Sequence, residues 1–200
     1  MRRNVVVIGA SAGGVGAISE LLAMLPGGFP AAIGITIHRG RLSAGDSSDT
    51  LAALFSGSGP LQCLAPVDGQ PFVAGFAYLA PPDVHMLLYE GSIKLERGPK
   101  EHHARPAVDP MFRSAAASYG QRVIGALLTG NLEDGTDGLC EIQRQGGFTM
   151  AQDPDEADFP SMPQSAIKAN CVHMVVSLSN LGRIMNELVR ADDGDRGSWA

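Results

Sequence analysis

Residues Val5–Ile18 read VVVIGASAGGVGAI. Four β-branched residues followed by a serine among small residues and glycines describe a buried strand that turns sharply into a helix. Three uses of such a turn compete. A dinucleotide cradle needs G-x-G-x-x-G, but Ser11 stands two positions after Gly9, and the next strand ends in His38 rather than a ribose-binding acid. A phosphate loop of the Walker type needs a Gly-Lys-Ser/Thr that is missing. A secretion signal would exploit Arg2 and Arg3, yet four glycines interrupt its apolar core. The stretch does fit G-x-S-x-G, Gly9 to Gly13, a strand-to-helix elbow that lifts a serine hydroxyl above a sheet. Ser11 as a plain helix N-cap is the alternative reading of the same residues.

Outward from this turn, strand-like and helix-like stretches alternate. AAIGITIH is a strand, SSDTLAALFSG a short helix and LQCLAPV a strand. DPMFRSAAASYG is a helix with Asp109 at its cap and Pro110 in its first turn. Then come the strand RVIGALLTG, a loop and helix over DGTDGLCEIQRQGG, the strand FTMAQD, the short helix SMPQSAIKAN, the strand CVHMVVSL and the amphipathic helix SNLGRIMNELVRA. Between Phe72 and Arg97 the pattern changes to FAYLA, VHMLLY and SIKLE, which predicts strands and a hairpin at an edge of the sheet. Strands separated by helices need crossover connections. The predicted fold class is therefore α/β: a doubly wound, mostly parallel sheet with helices on both faces and an edge hairpin, one domain over residues 1–190 with a disordered tail at 191–200.

Composition narrows the function. The chain has 200 residues, a net charge of −6 and 15 scattered Lys and Arg, so no basic stripe favours nucleic acid. No apolar run reaches the about 18 residues of a membrane span, so no membrane insertion is expected. Cys63, Cys140 and Cys171 are far apart and odd in number, which suits unpaired thiols in a cytoplasmic protein.

Ligands of open α/β sheets bind at the carboxyl ends of the strands. Ser11 follows the first strand, His38 closes the second and Asp134 follows RVIGALLTG, so residues of the nucleophile, base and orienting-acid types share one rim, while His38 alone also reads as a half-buried, hydrogen-bonded imidazole and the Asp134 loop as a turn, a helix cap or part of a divalent-ion site. Glu133 and Asp137 beside Asp134 do not match a calcium-loop spacing. His102 and His103 read as a solvated loop without a third metal ligand nearby, and His85 and His173 as structural. Neither a metal nor a cofactor is expected.

GASAGG, a histidine after the second strand, YLAPPDVHM, RPAVDPMFRSAA, LLTGNLEDGTDG and MPQSAI follow one another in an order that closely resembles the catalytic domain of the chemotaxis protein-glutamate methylesterases (CheB), from about Val5 to about Leu188. The resemblance implies Ser11 as nucleophile, His38 as base and Asp134 as the acid of a triad. It implies hydrolysis of glutamate methyl esters on a chemoreceptor-like helical protein, with deamidation of glutamines as a companion reaction and no cofactor. A separate receiver domain or a signalling kinase are further partners it allows, because family members often carry an N-terminal receiver and the catalytic strand here begins near Asn4, as in a stand-alone form. Backbone N–H groups after Ser11, at Ala12, and around Asn131 are the oxyanion candidates. Arg39 and Arg105 are the candidates for contact with the substrate. The chain departs from the family at Ala12 for threonine, Asn131-Leu132 for Met-Gly and Arg39-Gly40 for Met-Pro. This altered rim motivates a second reading, a catalytically weakened module that binds receptor helices or a kinase.

Overall fold

The computed structural model describes residues 2–38 and 48–191. Arg39 and residues 192–200 of the predicted tail lie outside the described residues. Among the described residues the strands are β1 (Val5–Ala10), β2 (Ala32–Ile37), β3 (Gln62–Leu64), β4 (Phe76–Leu79), β5 (His85–Tyr89), β6 (Ser92–Glu96), β7 (Val123–Leu127), β8 (Phe148–Gln152) and β9 (Met174–Val176). The α-helices among them are α1 (Gly14–Met24), α2 (Ser48–Ser58), α3 (Val108–Tyr119), α4 (Thr136–Arg144), α5 (Ser161–Lys168) and α6 (Leu178–Arg190).

Seven strands form one parallel sheet in the order β3-β4-β2-β1-β7-β8-β9. The alternation of side chains along β1 shows why it lies at the centre. Val6, Ile8 and Ala10 enter the core shared with α1, α2 and α6, while Val5 and Val7 enter the opposite core shared with α3, α4, α5 and the hairpin. A strand apolar on both faces needs helices on both faces. The chain steps from β1 to β2 on one side and returns later to β7 on the other, so the winding reverses beside β1 and opens a crevice at the strand ends.

Three expectations change. The hairpin β5-β6 exists, but it forms its own two-stranded ribbon packed on α3, whereas FAYLA enters the main sheet as β4. The ribbon is held by side chains of α3 and its flank: the Ser114 hydroxyl accepts the Leu88 amide at 3.0 Å, and Tyr119 Oη accepts Gly91 N–H at 3.0 Å and donates to the Tyr89 carbonyl at 2.5 Å. Cys140 and Cys171 are disulfide-bonded, with Cα atoms 4.7 Å apart, and Cys63 is buried. Thirty-one residues separate the pair in sequence, but α4 and the end of α5 lie side by side, so the argument from unpaired thiols falls away. Asp109 is not the cap of its own helix: Ala107 holds that place, and the buried Asp109 side chain turns to α4 instead.

No helix among the described residues is long and apolar enough to cross a membrane.

Candidate active site

In β1 and β2, Ala10 and Ile37 are register partners, so Ser11 and His38 leave the sheet side by side. The His38 amide donates to the Ala10 carbonyl at 3.1 Å, and on the other flank the Ser11 amide donates to the Thr129 carbonyl at 3.0 Å. The serine therefore sits on the central strand between the ends of its two neighbours. Gly13, at φ 75°, makes the left-handed step into α1 that a side chain would resist.

Thr129 organises this turn. Its buried hydroxyl donates to the Ala12 carbonyl at 3.1 Å and accepts the Phe159 amide at 2.9 Å, while its own amide donates to Gln152 Oε1 at 2.9 Å. Gly130 follows because space demands it: a Cβ there would lie 2.0 Å from Met162 Sδ and 2.8 Å from the Ser11 Cβ. Sequence reasoning passed over Thr129 and Gln152. A buried threonine and glutamine at strand ends were the available signal, but only the fold shows what they hold.

The imidazole and the carboxylate meet. His38 Nε2 lies 2.5 Å from Asp134 Oδ2, with the His38 side chain 19% exposed and that of Asp134 1% exposed. Among the described residues this leaves Nδ1 as the ring nitrogen without a hydrogen-bond partner. The Ser11 hydroxyl makes no hydrogen bond to His38 among the described residues, so the structure joins two of the three expected partners and places the third on the adjacent strand. Asp134 is anchored at the N-terminus of α3, where Val108 N–H donates to Oδ2 at 2.7 Å and Asp109 N–H to Oδ1 at 3.0 Å. Burial works most strongly against its charge. The hydrogen bonds from His38, Val108 and Asp109 outweigh burial and hold the carboxyl below the usual range.

A second acid stands directly behind the first. Asp109, completely buried, accepts the Gly135 and Gly138 amides at 3.0 and 2.7 Å through Oδ1, and His102 Nε2 lies 2.9 Å from its Oδ2. Each carboxylate thus caps the helix beside the other: Asp134 caps α3, which carries Asp109, and Asp109 caps α4, which follows Asp134. Burial, then the neighbouring Asp134 charge, push the Asp109 carboxyl up to about 6. For His102 burial opposes the charge, but Asp134, Asp109 and Glu133 prevail and raise its pKa. His102, Asp109 and Asp134 offer ligand atoms within 4.8 Å of one another, a possible metal set by spacing. Their oxygens are already engaged by four backbone amides and two imidazoles, so the arrangement reads as a hydrogen-bonded ion cluster. The expectation of a solvated histidine pair is corrected for His102, which faces inward.

The remaining candidates divide. Arg105 spends all three guanidinium nitrogens on Asp83 and the Gly98 carbonyl, so it braces the segment before α3. Asn131 and Leu132 are exposed, and Leu132 takes φ 67°, with its carbonyl accepting the hydroxyls of Ser161 and Ser165 at 3.2 Å each. That left-handed backbone explains the glycine expected at this position from the resemblance; leucine occupies it here at a cost of about 1–2 kcal/mol. His102, His103, Leu132, Glu133, Ser161 and Ser165 line a cavity of about 380 Å³. His85 and His173 are structural, as expected: His85 Nε2 donates to the Pro99 carbonyl and Nδ1 accepts the Ala107 amide, while His173 Nδ1 meets the Thr149 hydroxyl at 2.7 Å.

These features define a class, the doubly wound α/β domains that gather a glycine-bounded serine, an imidazole and a buried carboxylate at the crevice of the sheet. Within that class the chain belongs to the CheB methylesterase family, whose pattern matches residues 6–185. A putative protein-glutamate methylesterase/protein-glutamine glutaminase of Leptospira interrogans is 33% identical over 189 residues, covering 94% of this chain and 96% of the relative. Protein-glutamate methylesterase/protein-glutamine glutaminase 2 of Anaeromyxobacter dehalogenans is 37% identical over 94% of this chain but 54% of its own length. The chain spans about half the length of several curated relatives it matches, that one among them. The crystal structure of the Thermotoga maritima CheB methylesterase catalytic domain superposes with a TM-score of 0.86 at 30% identity, covering 94% of this chain and all of that one.

Proposed function

We propose that the protein is a serine esterase that hydrolyses glutamate methyl esters on chemoreceptor-like helical proteins, with Ser11, His38 and Asp134 acting as a triad. The observation that carries this reading is the hydrogen bond between His38 and a buried, ionised Asp134, one strand away from the glycine-bounded Ser11. His38 Nδ1 takes the Ser11 proton as the hydroxyl oxygen attacks the ester carbonyl, and the imidazolium returns it to methoxide, which departs as methanol. Asp134 fixes the tautomer and stabilises the imidazolium. Water, activated by the same imidazole, then cleaves the acyl-serine and frees the carboxylate.

The oxyanion needs donors fixed in advance, and the Ala12 amide at the entrance to α1 is the leading candidate. Asn131 is exposed and makes no hydrogen bond among the described residues, so its amide is the second candidate. A glutamine side chain presents the same carbonyl with ammonia as leaving group, so deamidation is a companion reaction, consistent with the names of the relatives. Arg39, adjacent to the base in sequence, contributes positive charge toward an acidic substrate surface. A cytoplasmic location follows from such a substrate, and a receiver domain or a signalling kinase are the proposed regulatory partners.

The test is methanol release from a methylated receptor fragment. Ser11→Ala should abolish it, by about 10⁵-fold or more, and unchanged release would reject Ser11 as the nucleophile. The rate should also rise from acid toward neutral pH, because general-base catalysis by an imidazole needs its neutral form; a rate flat over that range would remove His38 as the base.

A further inference from the structure

The proposed chemistry uses Asp134 and leaves the other buried carboxylate, Asp109, without a role. We infer that Asp109, held by His102, is a positioning residue that sets the orientation of Asp134 toward His38. The inference rests on the reading of Asp134 as the orienting acid of the site.

Reciprocal capping provides the geometry. Asp134 lies at the start of the segment 134–138, and Asp109 Oδ1 grips that segment at two amides, Gly135 and Gly138. Asp109's own amide in turn supports Asp134 Oδ1. The grip tolerates no extra bulk: a Cβ on Gly138 would lie 2.4 Å from the Phe112 Cβ and 3.1 Å from Asp109 Oδ1, and Gly135 adopts φ 95°. With its Oδ1 committed to α4, Asp109 needs a partner for Oδ2, and His102 supplies it.

His102 is aimed inward by a turn that carries backbone strain for the purpose. His102 and His103 take φ 48° and 62°, two left-handed residues in succession without a glycine. The amides of Glu101 and Ala104 close this turn by bonding to each other's carbonyls at 3.2 and 2.8 Å. Two residues one turn apart on α3 tether it, Asp109 through His102 and Arg113 through a 2.8 Å pair with Glu101. His102 Nε2 also lies 4.0 Å from Asp134 Oδ1, so one imidazole faces both carboxylates, which would otherwise repel each other in a buried site. Glu133 adds negative charge to the same surroundings, and both Glu133 and His103 line the adjoining cavity.

Two variants test this, each read in two ways. Asp109→Asn keeps the shape and an acceptor for the α4 amides but removes the charge; His102→Gln, on a surface turn, keeps a donor and removes the charge without disturbing the core. For methyl-ester hydrolysis, kcat should fall about tenfold or more in Asp109→Asn and less in His102→Gln, with KM within about twofold, because a misdirected base slows chemistry and leaves binding alone. The double variant should be no slower than Asp109→Asn, since both changes act through one contact. The second readout is independent of activity: the downfield proton resonance of the His38 ring N–H on Asp134 should move or broaden in both variants and stay in place in Cys63→Ser, a change remote from the cluster. Absence of methanol release by the wild type would defeat the proposed function and still leave the resonance to decide the positioning role. An unmoved resonance in both variants would overturn the inference, as would a fall in kcat matched by an equal rise in KM.

Discussion

Ser11 and Asp134 reach the same crevice by different construction. The serine stands on a turn made of consecutive residues, Gly9 to Gly14, whose shape follows from one central strand, one left-handed glycine and one hydroxyl, that of Thr129, acting from the neighbouring strand. The aspartate is held by amides of Val108 and Asp109, by an imidazole from β2 and, at second hand, by a histidine from the turn before α3. One half of the site is local and needs little beyond its own segment. The other is assembled from distant segments and depends on every one being in place. Such a site takes its proposed nucleophile from a strand end and its electrostatics from the packing of two helix N-termini.

This contrast orders the expected effects. On the assembled side, Asp134→Asn should lower kcat by about 10³–10⁴-fold with the fold intact, because the amide keeps the shape but fails to stabilise the imidazolium; a loss below about tenfold would mean that the carboxylate serves the fold alone. On the local side, Gly130→Ala places a methyl against Met162 and the Ser11 Cβ. It should cost about 1–3 kcal/mol in denaturant unfolding and slow hydrolysis as well, since relief of the overlap displaces Ser11. An unaltered unfolding midpoint would show that the turn yields more readily than its packing indicates.

The smallest effect is a pH dependence that separates the two acids. Asp109, with its pKa raised to about 6, contributes stability that is present below the ordinary carboxylate range and is lost as pH rises through about 6. Asp134, with its pKa lowered, contributes in the opposite sense, its share being lost as pH falls below that range. Asp109→Asn should therefore be most costly relative to wild type near about pH 4 and less so near about pH 7. Thermal unfolding at the two pH values measures it, and a deficit that grows with pH would reverse the assignment.

The same contrast explains what could be read in advance. The VVVIG strand buries both faces, the glycines mark a tight elbow, and the alternation of strands and helices leads to crossovers, so the parallel sheet and the meeting of strand ends were legible. Pairings that depend on which helices lie side by side were not. Cys140 and Cys171 meet because α4 and α5 pack together, and no spacing rule announces it. His102 looked solvated because nothing local marks a histidine that turns inward through two left-handed residues to meet a carboxylate seven positions on. Asp109 had the look of a cap, and it is one, but for the next helix, α4, and not for its own. The hairpin was legible as a hairpin; its detachment from the main sheet depends on the side chains of α3.

The proposed unit of Ser11, His38 and Asp134 is tested most directly through labelling by a serine-directed fluorophosphonate, with the modified residue located by mass spectrometry. Adduct is expected at Ser11 in the wild type, formed at least about a hundredfold more slowly in His38→Ala and in Asp134→Asn. Labelling of Ser11 at the same rate in all three proteins, or its absence from the wild type, would contradict it.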